Sequence, residues 1–168
     1  MNTFVNILRQ SDIFYQLTPT QLEMVANLCS EITIKAGEII FKENSASKEL
    51  YIIAEGEVEI VIGPSVVRDP GKSHPKDSVI AILRKGQSFG EVALVDEGLR
   101  SASARAGAEE TRLLKIERNR LIMLCETYPP LGYRLMYNLA ADLAMKIRNT
   151  DLRIQENLQN VRGKIKNE

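Results

Sequence analysis

Residues 49–63 read ELYIIAEGEVEIVIG, an apolar run interrupted by a Glu-Gly pair. After that pair, Val58, Ile60 and Ile62 recur at every second position, with Glu57 and Glu59 as polar neighbours. Alternation with a period of two is typical of a β-strand that buries one face. Because glycine permits the backbone conformations of tight turns, the stretch predicts two strands joined by a turn at Glu55-Gly56.

The same pattern recurs on both sides of this stretch. EITIKAGEIIF (31–41) predicts strand, turn and strand, with the turn at Ala36-Gly37. VIAILRKG (79–86), RSASARA (100–106) and TRLLKIE (111–117) each predict a single strand. Residues 63–78 carry three prolines and two glycines, which favours a loop longer than a tight hairpin needs. Many short strands at close spacing indicate an all-β barrel or jelly roll rather than β-α-β units.

Helices are predicted at both ends of the chain. Thr18, Pro19 and Gln21 form a capping-box pattern before a helix whose apolar residues share one face: Leu22, Val25, Ala26 and Cys29. RNRLIMLCETY (118–128) predicts a second helix that ends at Pro129-Pro130.

A long helix is expected from about Leu131 to beyond Leu158. Its apolar stripe consists of Leu135, Leu139, Leu143 and Ile147, extended by Ile154, Leu158 and Val161. The stripe can pack on the chain's own barrel or pair with the same helix of a second subunit, and for the outer half we favour pairing in a homodimer. We therefore divide the chain into residues 1–128, a barrel with N-terminal helices, and 129–168, a lid or dimerisation helix.

Composition and charge exclude several classes of protein. The 22 basic and 22 acidic residues cancel, whereas a chain that grips nucleic acid usually carries a basic excess, so no direct nucleic-acid contact is expected. The sequence begins without a signal-peptide pattern, and no apolar run approaches the ~20 residues that span a bilayer. Cys29 and Cys125 form no disulfide framework and are interpreted as free thiols. We expect a cytoplasmic protein without a membrane span.

Residues for catalysis or metal binding are lacking in the sequence. The single histidine, His74, lies in the proline-rich loop, whereas metal sites need a cluster of ligands and Ser/His/Asp catalysis needs a rigidly held histidine. No glycine-rich P-loop ending in Gly-Lys-Ser/Thr is present. We expect neither an enzyme nor a metal or other cofactor.

Residues 89–106, FGEVALVDEGLRSASARA, carry the chemistry that points to a ligand. Glu91 starts a short helical turn just after Gly90, and Arg100 follows with a guanidinium fork suited to phosphate. Next to it are a hydroxyl and small side chains: Ser101, Ala102 and Ala104. Backbone N–H donors and Arg100 suit a phosphate, and a carboxylate on the other side suits hydroxyls. The combination describes a sugar phosphate; the alternative is a surface Glu–Arg pair on a turn.

This stretch resembles the phosphate-binding cassette of the cyclic-nucleotide-binding domain family, whose members include the catabolite activator protein and the regulatory subunits of cyclic-AMP-dependent kinase. The shared pattern is Phe-Gly-Glu-x-Ala-Leu, a few residues, Arg, a small residue and Ala. GEIIFKENSASKELYIIAEGEVEI (37–60) and ILRKGQSFGE (82–91) are also similar to family segments, and the likeness runs from about Ile13 to Arg148. The fold it implies is mainly β: a β-roll or jelly roll (cupin-like) of about eight strands, with a helical N-terminus, a long C-terminal helix and a cassette at 86–104.

The resemblance implies a role for each matching position. Gly90 and the first N–H groups of the turn would face ribose and phosphate, Glu91 would accept from the ribose 2′-hydroxyl, and Arg100 would neutralise the cyclic phosphate. The other expected ligand-binding residues of the cassette are Phe89, Val92, Ala93, Ser101 and Ala102. Ile40, Val58 and Ile80 fall where the family lines the base pocket, although aliphatic core explains them equally well.

Asn44 stands where the family usually has glycine, and we expect the turn to survive because Asn tolerates positive φ better than other non-glycine residues. On the long helix, Lys146, Asn149 and Thr150 lie at a depth suited to capping the base, but a solvated face explains each of them better. Ser101 is compatible with cyclic AMP and with cyclic GMP, so the base stays open.

The resulting hypothesis is a regulatory sensor that binds a cyclic nucleotide, with cyclic AMP favoured, and relays binding through the C-terminal helix. The alternatives are a cyclic GMP sensor and a ligand-free β-roll that serves as a dimerisation scaffold. About ten residues follow the long helix, too few for a helix-turn-helix domain. We therefore expect that this chain is not itself a transcription factor. It is expected to be a stand-alone sensor or a piece of something larger, and a downstream protein partner is possible.

Overall fold

The computed structural model describes residues 3–46, 48–63, 78–96 and 98–165. The helices are α1 (Thr3–Leu8), α2 (Pro19–Ala26), α3 (Val92–Val95), α4 (Arg118–Thr127) and α5 (Pro129–Ile165), with a 3₁₀ turn at Asp12–Phe14. The strands are β1 (Ser30–Lys35), β2 (Ile39–Phe41), β3 (Glu49–Glu55), β4 (Glu57–Ile62), β5 (Ser78–Arg84), β6 (Ser88–Phe89), β7 (Ser103–Ala106) and β8 (Glu110–Glu117). His74 and most of the predicted loop lie outside the described residues.

The eight strands form two antiparallel four-stranded sheets, ordered β1-β8-β3-β6 and β2-β7-β4-β5. Their inner faces meet in one apolar cluster, to which the first sheet gives Tyr51, Ile53 and Leu113 and the second gives Val58 and Ala104. The two sheets thus close into a β-roll, and the fold expected from the sequence, mainly β with flanking helices, is confirmed.

The predicted turns owe their shape to residues at positive φ. Gly56, between β3 and β4, has φ +84°, and an added Cβ would lie 2.8 Å from the carbonyl oxygen of Glu110. Only glycine fits there, because other residues would be strained as well as crowded. Asn44 has φ +62°, so the turn keeps the left-handed conformation that Asn tolerates.

Two features of the strands differ from a simple reading of the sequence. The alternation of β4 stops after Ile60: Val61 is buried and Ile62 is exposed, because the register against β5 shifts between Ile60 and Val61. The short β6 has no run of apolar residues of its own and exists through its pairing with Tyr51 and Ile52 of β3.

The N-terminal helices and the first turns of α5 enclose a second apolar cluster on the outside of the roll. Thr18 and Gln21 form the predicted capping box at the start of α2. Leu135 and Leu139 of α5 are fully buried, and between them Asn138 donates to the carbonyl oxygens of Ile13 (3.2 Å) and Tyr15 (2.7 Å). These two bonds satisfy a buried amide and fix the first turns of α5 to the N-terminal segment.

The apolar stripe predicted along α5 divides between two faces of the helix. Leu135 and Leu139 are buried and Leu143 is half-buried, whereas Ile147 is 63% exposed. The outer face carries residues at alternating intervals of four and three: Tyr133, Tyr137, Ala140, Ala144, Ile147, Asp151, Ile154 and Leu158. We call these eight residues the outer seam. The predicted Val161 side chain lies outside the described part of the structure.

Candidate functional site

Arg100 lies buried between the roll and the cassette, with 5% of its surface exposed. Its Nη2 donates to the carbonyl oxygen of Glu49 (2.9 Å), and its Nη1 donates over 3.4 Å to the carbonyl oxygen of Gly90. The guanidinium carbon lies 4.0 Å from the ring centroid of Phe41, within the range of a cation–π contact. The charged head is therefore held by backbone carbonyls on one side and an aromatic face on the other.

The Nε–H donor of Arg100 is buried and has no hydrogen-bond partner in the structure. A buried donor without an acceptor costs about 1–3 kcal/mol, and more on a charged group. Burial also lowers the pKa of Arg100, and the nearby Tyr51 phenol and the Glu49 and Glu91 carboxylates offset this only in part. Since arginine does not deprotonate in proteins, the site holds a cation that still has a free donor for an anion.

Gly90 keeps the cassette backbone close to this guanidinium. Its φ is +75°, and an added Cβ would lie 2.5 Å from Arg100 Nη1 and 3.0 Å from the carbonyl oxygen of Glu49. Any other residue would push Arg100 out of its present place, so the Phe-Gly-Glu pattern has a steric reason.

Three aromatic rings pack together where β6 leads into the cassette. Phe89 stacks on Tyr51 with ring centroids 5.1 Å apart, and Phe41 lies 5.9 Å from each of them. Burial, followed by the nearby Glu49 carboxylate, raises the pKa of Tyr51, although Arg100 acts in the opposite direction. The rings give Arg100 and the strand that leads into the cassette a rigid apolar support.

Glu91, the other predicted charged ligand, is also buried. Its Oε1 accepts from Lys146 Nζ of α5 over 2.9 Å, and the same ammonium lies 2.8 Å from Asp142 Oδ2 one turn earlier. Burial acts to lower the pKa of Lys146, but the two carboxylates outweigh it, so that pKa is raised. This ion cluster joins the cassette directly to the long helix.

The remaining predicted residues lie at different depths. Ile40 and Val58 belong to the apolar cluster inside the roll, whereas Ile80, on the edge strand β5, is 43% exposed and outside that cluster. Val92 and Ser101 are exposed, Ala102 is half-buried, and the side chain of Ala93 lies outside the described part of the structure. Asn149 and Thr150 are exposed on α5, and the Thr150 hydroxyl donates to the carbonyl oxygen of Lys146.

The sequence analysis missed residues that reach the site from a distance. Glu49 and Asp142 were not singled out, because 51 residues separate Glu49 from Arg100 and nothing local marks either carboxylate. Phe41 and Tyr51 could have been found, since each is an aromatic residue within a predicted strand.

The sequence model of the cyclic nucleotide-binding domain matches residues 31–128, which include both Glu91 and Arg100. The chain belongs to the cyclic nucleotide-binding domain family. It is similar to the cyclic AMP receptor protein of Thermus thermophilus, with 30% identity over 149 residues that cover 88% of this chain and 62% of that protein. The crystal structure of the catabolite activator protein of that organism matches with a TM-score of 0.70 and 31% identity over 86% of this chain and 62% of the other.

A second similar protein is the cAMP-dependent protein kinase regulatory subunit of Schizosaccharomyces pombe, 29% identical over 110 residues that cover 66% of this chain and 23% of the subunit. The chain thus spans less than two thirds of the length of either relative. Within the part of the chain that the structure describes, no helix is long and apolar enough to cross a bilayer. Nor do the described His, Cys, Asp and Glu residues form a group of three or more that could hold a metal ion.

Proposed function

We propose that this member of the cyclic nucleotide-binding domain family is a regulatory sensor whose ligand is cyclic AMP. One observation carries the proposal. The Arg100 guanidinium is buried and has a free Nε–H, and the Glu91 carboxylate of the same cassette is buried as well. A cation with a spare donor suits a cyclic phosphate, and a carboxylate suits the ribose hydroxyl. The proposal includes no catalytic step and no cofactor.

Glu91 has the capacity to serve the ligand and the helix at once. Lys146 occupies its Oε1, and a carboxylate accepts through both oxygens. The second oxygen is the acceptor that we assign to the ribose 2′-hydroxyl. Binding would then be felt at Lys146, which gives the sensor a route from the nucleotide to α5.

Cyclic AMP is favoured over cyclic GMP because two similar proteins that carry cyclic AMP in their names match 88% and 66% of this chain, whereas two that carry cyclic GMP match 61% and 54%. Ser101 beside the cassette arginine is compatible with either base, and its side chain is exposed. Isothermal titration of the whole chain with cyclic AMP, cyclic GMP and linear 5′-AMP tests the proposal. We expect the order of affinity cyclic AMP, cyclic GMP, 5′-AMP; no heat and no ligand-induced rise in melting temperature with either cyclic nucleotide would refute it.

Replacing Glu91 by glutamine should weaken cyclic AMP binding about five- to tenfold, because a charge-assisted hydrogen bond exceeds a neutral one by roughly 1 kcal/mol. The loss should be at most about twofold for 2′-deoxy cyclic AMP, which lacks the hydroxyl. The four dissociation constants from two proteins and two ligands form a cycle. The substitution also weakens the ion pair between Glu91 and Lys146, but this affects both ligands and cancels in the cycle. Equal losses of affinity for the two ligands would therefore argue against a contact between Glu91 and the hydroxyl.

We also propose that the chain pairs with a second copy through the outer seam of α5. Seven of its eight residues are apolar, and their spacing of four and three residues is the heptad pattern of a coiled coil. The exception, Asp151, would meet its own copy in a parallel pair. A single polar residue in such a seam fixes the register of the two helices at a cost in stability.

A further inference from the structure

The carboxylate of Glu49 places a negative charge next to Arg100, the residue that would bind an anionic ligand. Its carboxylate oxygen Oε2 lies 3.6 Å from Arg100 Nη2, the nitrogen that already donates to the Glu49 carbonyl. Arg100 is almost fully buried, whereas the side chain of Glu49 is 31% exposed. The carboxylate thus reaches the guanidinium from the solvent side.

The position of Glu49 is fixed by its backbone rather than by this ion pair. It is the first residue of β3, pairs in register with Glu117 of β8 and precedes the fully buried Leu50. The carbonyl bond to Arg100 depends on the same backbone. Neutralising the carboxylate therefore leaves both the strand and the carbonyl acceptor in place.

The ion pairs that the structure describes at Arg100 and Glu91 carry a net negative charge. Two cations, Arg100 and Lys146, face three carboxylates, Glu49, Glu91 and Asp142, which leaves one negative charge in excess. Glu91 and Asp142 share Lys146, whereas Glu49 is the carboxylate that the structure places within 4 Å of the Arg100 guanidinium. A ligand phosphate would have to share Arg100 with Glu49 and would be repelled by it.

We propose that Glu49 is an affinity-determining residue of the phosphate site. Its carboxylate lowers the affinity for the ligand because it competes with the ligand's phosphate for Arg100. This inference rests on the proposed function. The opposite role is that Glu49 orients Arg100 for the ligand, as a partner that the site needs. The two roles predict opposite signs when the carboxylate is neutralised.

Glu49→Gln should lower the dissociation constant for cyclic AMP about three- to tenfold, the effect of one partly screened charge interaction near a surface. The matched control is Glu57→Gln, which makes the same change in net charge. Glu57 is the first residue of β4, has a side chain 39% exposed and pairs with Arg84 of β5 at 3.1 Å. Titration calorimetry of wild type and both variants, at one ionic strength, gives the comparison.

Tighter binding by Glu49→Gln alone supports the proposal. An unchanged or weaker affinity overturns it, and so does an equal gain in Glu57→Gln, which would reflect net charge only. The melting temperature of Glu49→Gln without ligand should not rise, because Arg100 loses an ion partner. A rise would mean that the gain in affinity comes from general stabilisation of the fold, and it would overturn the proposal as well. If neither wild type nor Glu49→Gln binds a cyclic nucleotide, the proposed function itself fails, whereas binding without a change between them refutes only the role of Glu49.

Discussion

Arg100→Ala is expected to weaken cyclic AMP binding by about 30-fold or more while the protein stays folded. Truncating one partner of a buried charge pair costs ~2–5 kcal/mol, and 2 kcal/mol corresponds to roughly 30-fold in affinity. The arginine makes its two hydrogen bonds to backbone carbonyls, of Glu49 and Gly90, so the ligand is the partner that loses most. Titration calorimetry measures the affinity, and circular dichroism checks the fold.

Arg105→Ala is the control for this experiment. Arg105 lies on β7, five residues further on, and pairs at 2.6 Å with Glu59. The substitution Arg105→Ala also removes an arginine side chain, but from a partly exposed ion pair away from the cassette. Its effect on affinity should therefore stay below about threefold. If the affinity of Arg100→Ala for cyclic AMP stays within about threefold of the wild-type value, the phosphate is bound elsewhere.

The second large effect concerns the oligomeric state. We expect the whole chain to be a dimer at tens of micromolar and the chain lacking residues 150–168 to be a monomer that still binds nucleotide. The truncation removes Asp151, Ile154 and Leu158 and leaves about two heptads, which include two alanines and give too little apolar area for a stable pair. Sedimentation velocity of both chains measures the change.

Point substitutions separate the outer seam from the rest of the helix surface. Ile154→Lys in the seam should dissociate the dimer, because it replaces an apolar contact by a second pair of like charges next to the pair at Asp151. Leu152→Lys is the matched control, since Leu152 is equally exposed on α5 but lies off the seam. A monomeric wild-type chain, or dissociation by Leu152→Lys alone, would contradict pairing through the seam.

The features that the sequence predicted well are encoded within a few residues. The capping box of Thr18 and Gln21 spans four positions, and the turn at Glu55-Gly56 needs only its glycine. Asn44 was expected to keep a positive φ and does so. The family followed from the cassette, because Phe89 to Arg100 form one continuous stretch with a steric reason for Gly90.

What the sequence could not predict depends on residues that meet only in the folded chain. Lys146 and Glu91 are 55 residues apart, and their pairing requires both the orientation of α5 and the turn of the cassette. The sequence analysis assigned the apolar stripe along α5 to one face. Whether Ile147 faces the chain's own roll or the outside depends on how the bonds of Asn138 orient the helix on the N-terminal segment. The register shift in β4 likewise arises from the neighbouring strand rather than from β4 itself.

The two bonds from Asn138 to the N-terminal backbone make that residue the fulcrum of a lever. Lys146 lies eight residues beyond it and Ile165, at the end of α5, twenty-seven residues beyond it. At 1.5 Å per residue these arms measure about 12 and 40 Å, so a tilt of about 10° moves Lys146 by about 2 Å and the far end by about 7 Å. Under the proposed function, a shift at the nucleotide site no longer than one hydrogen bond would be magnified more than threefold at the far end of α5.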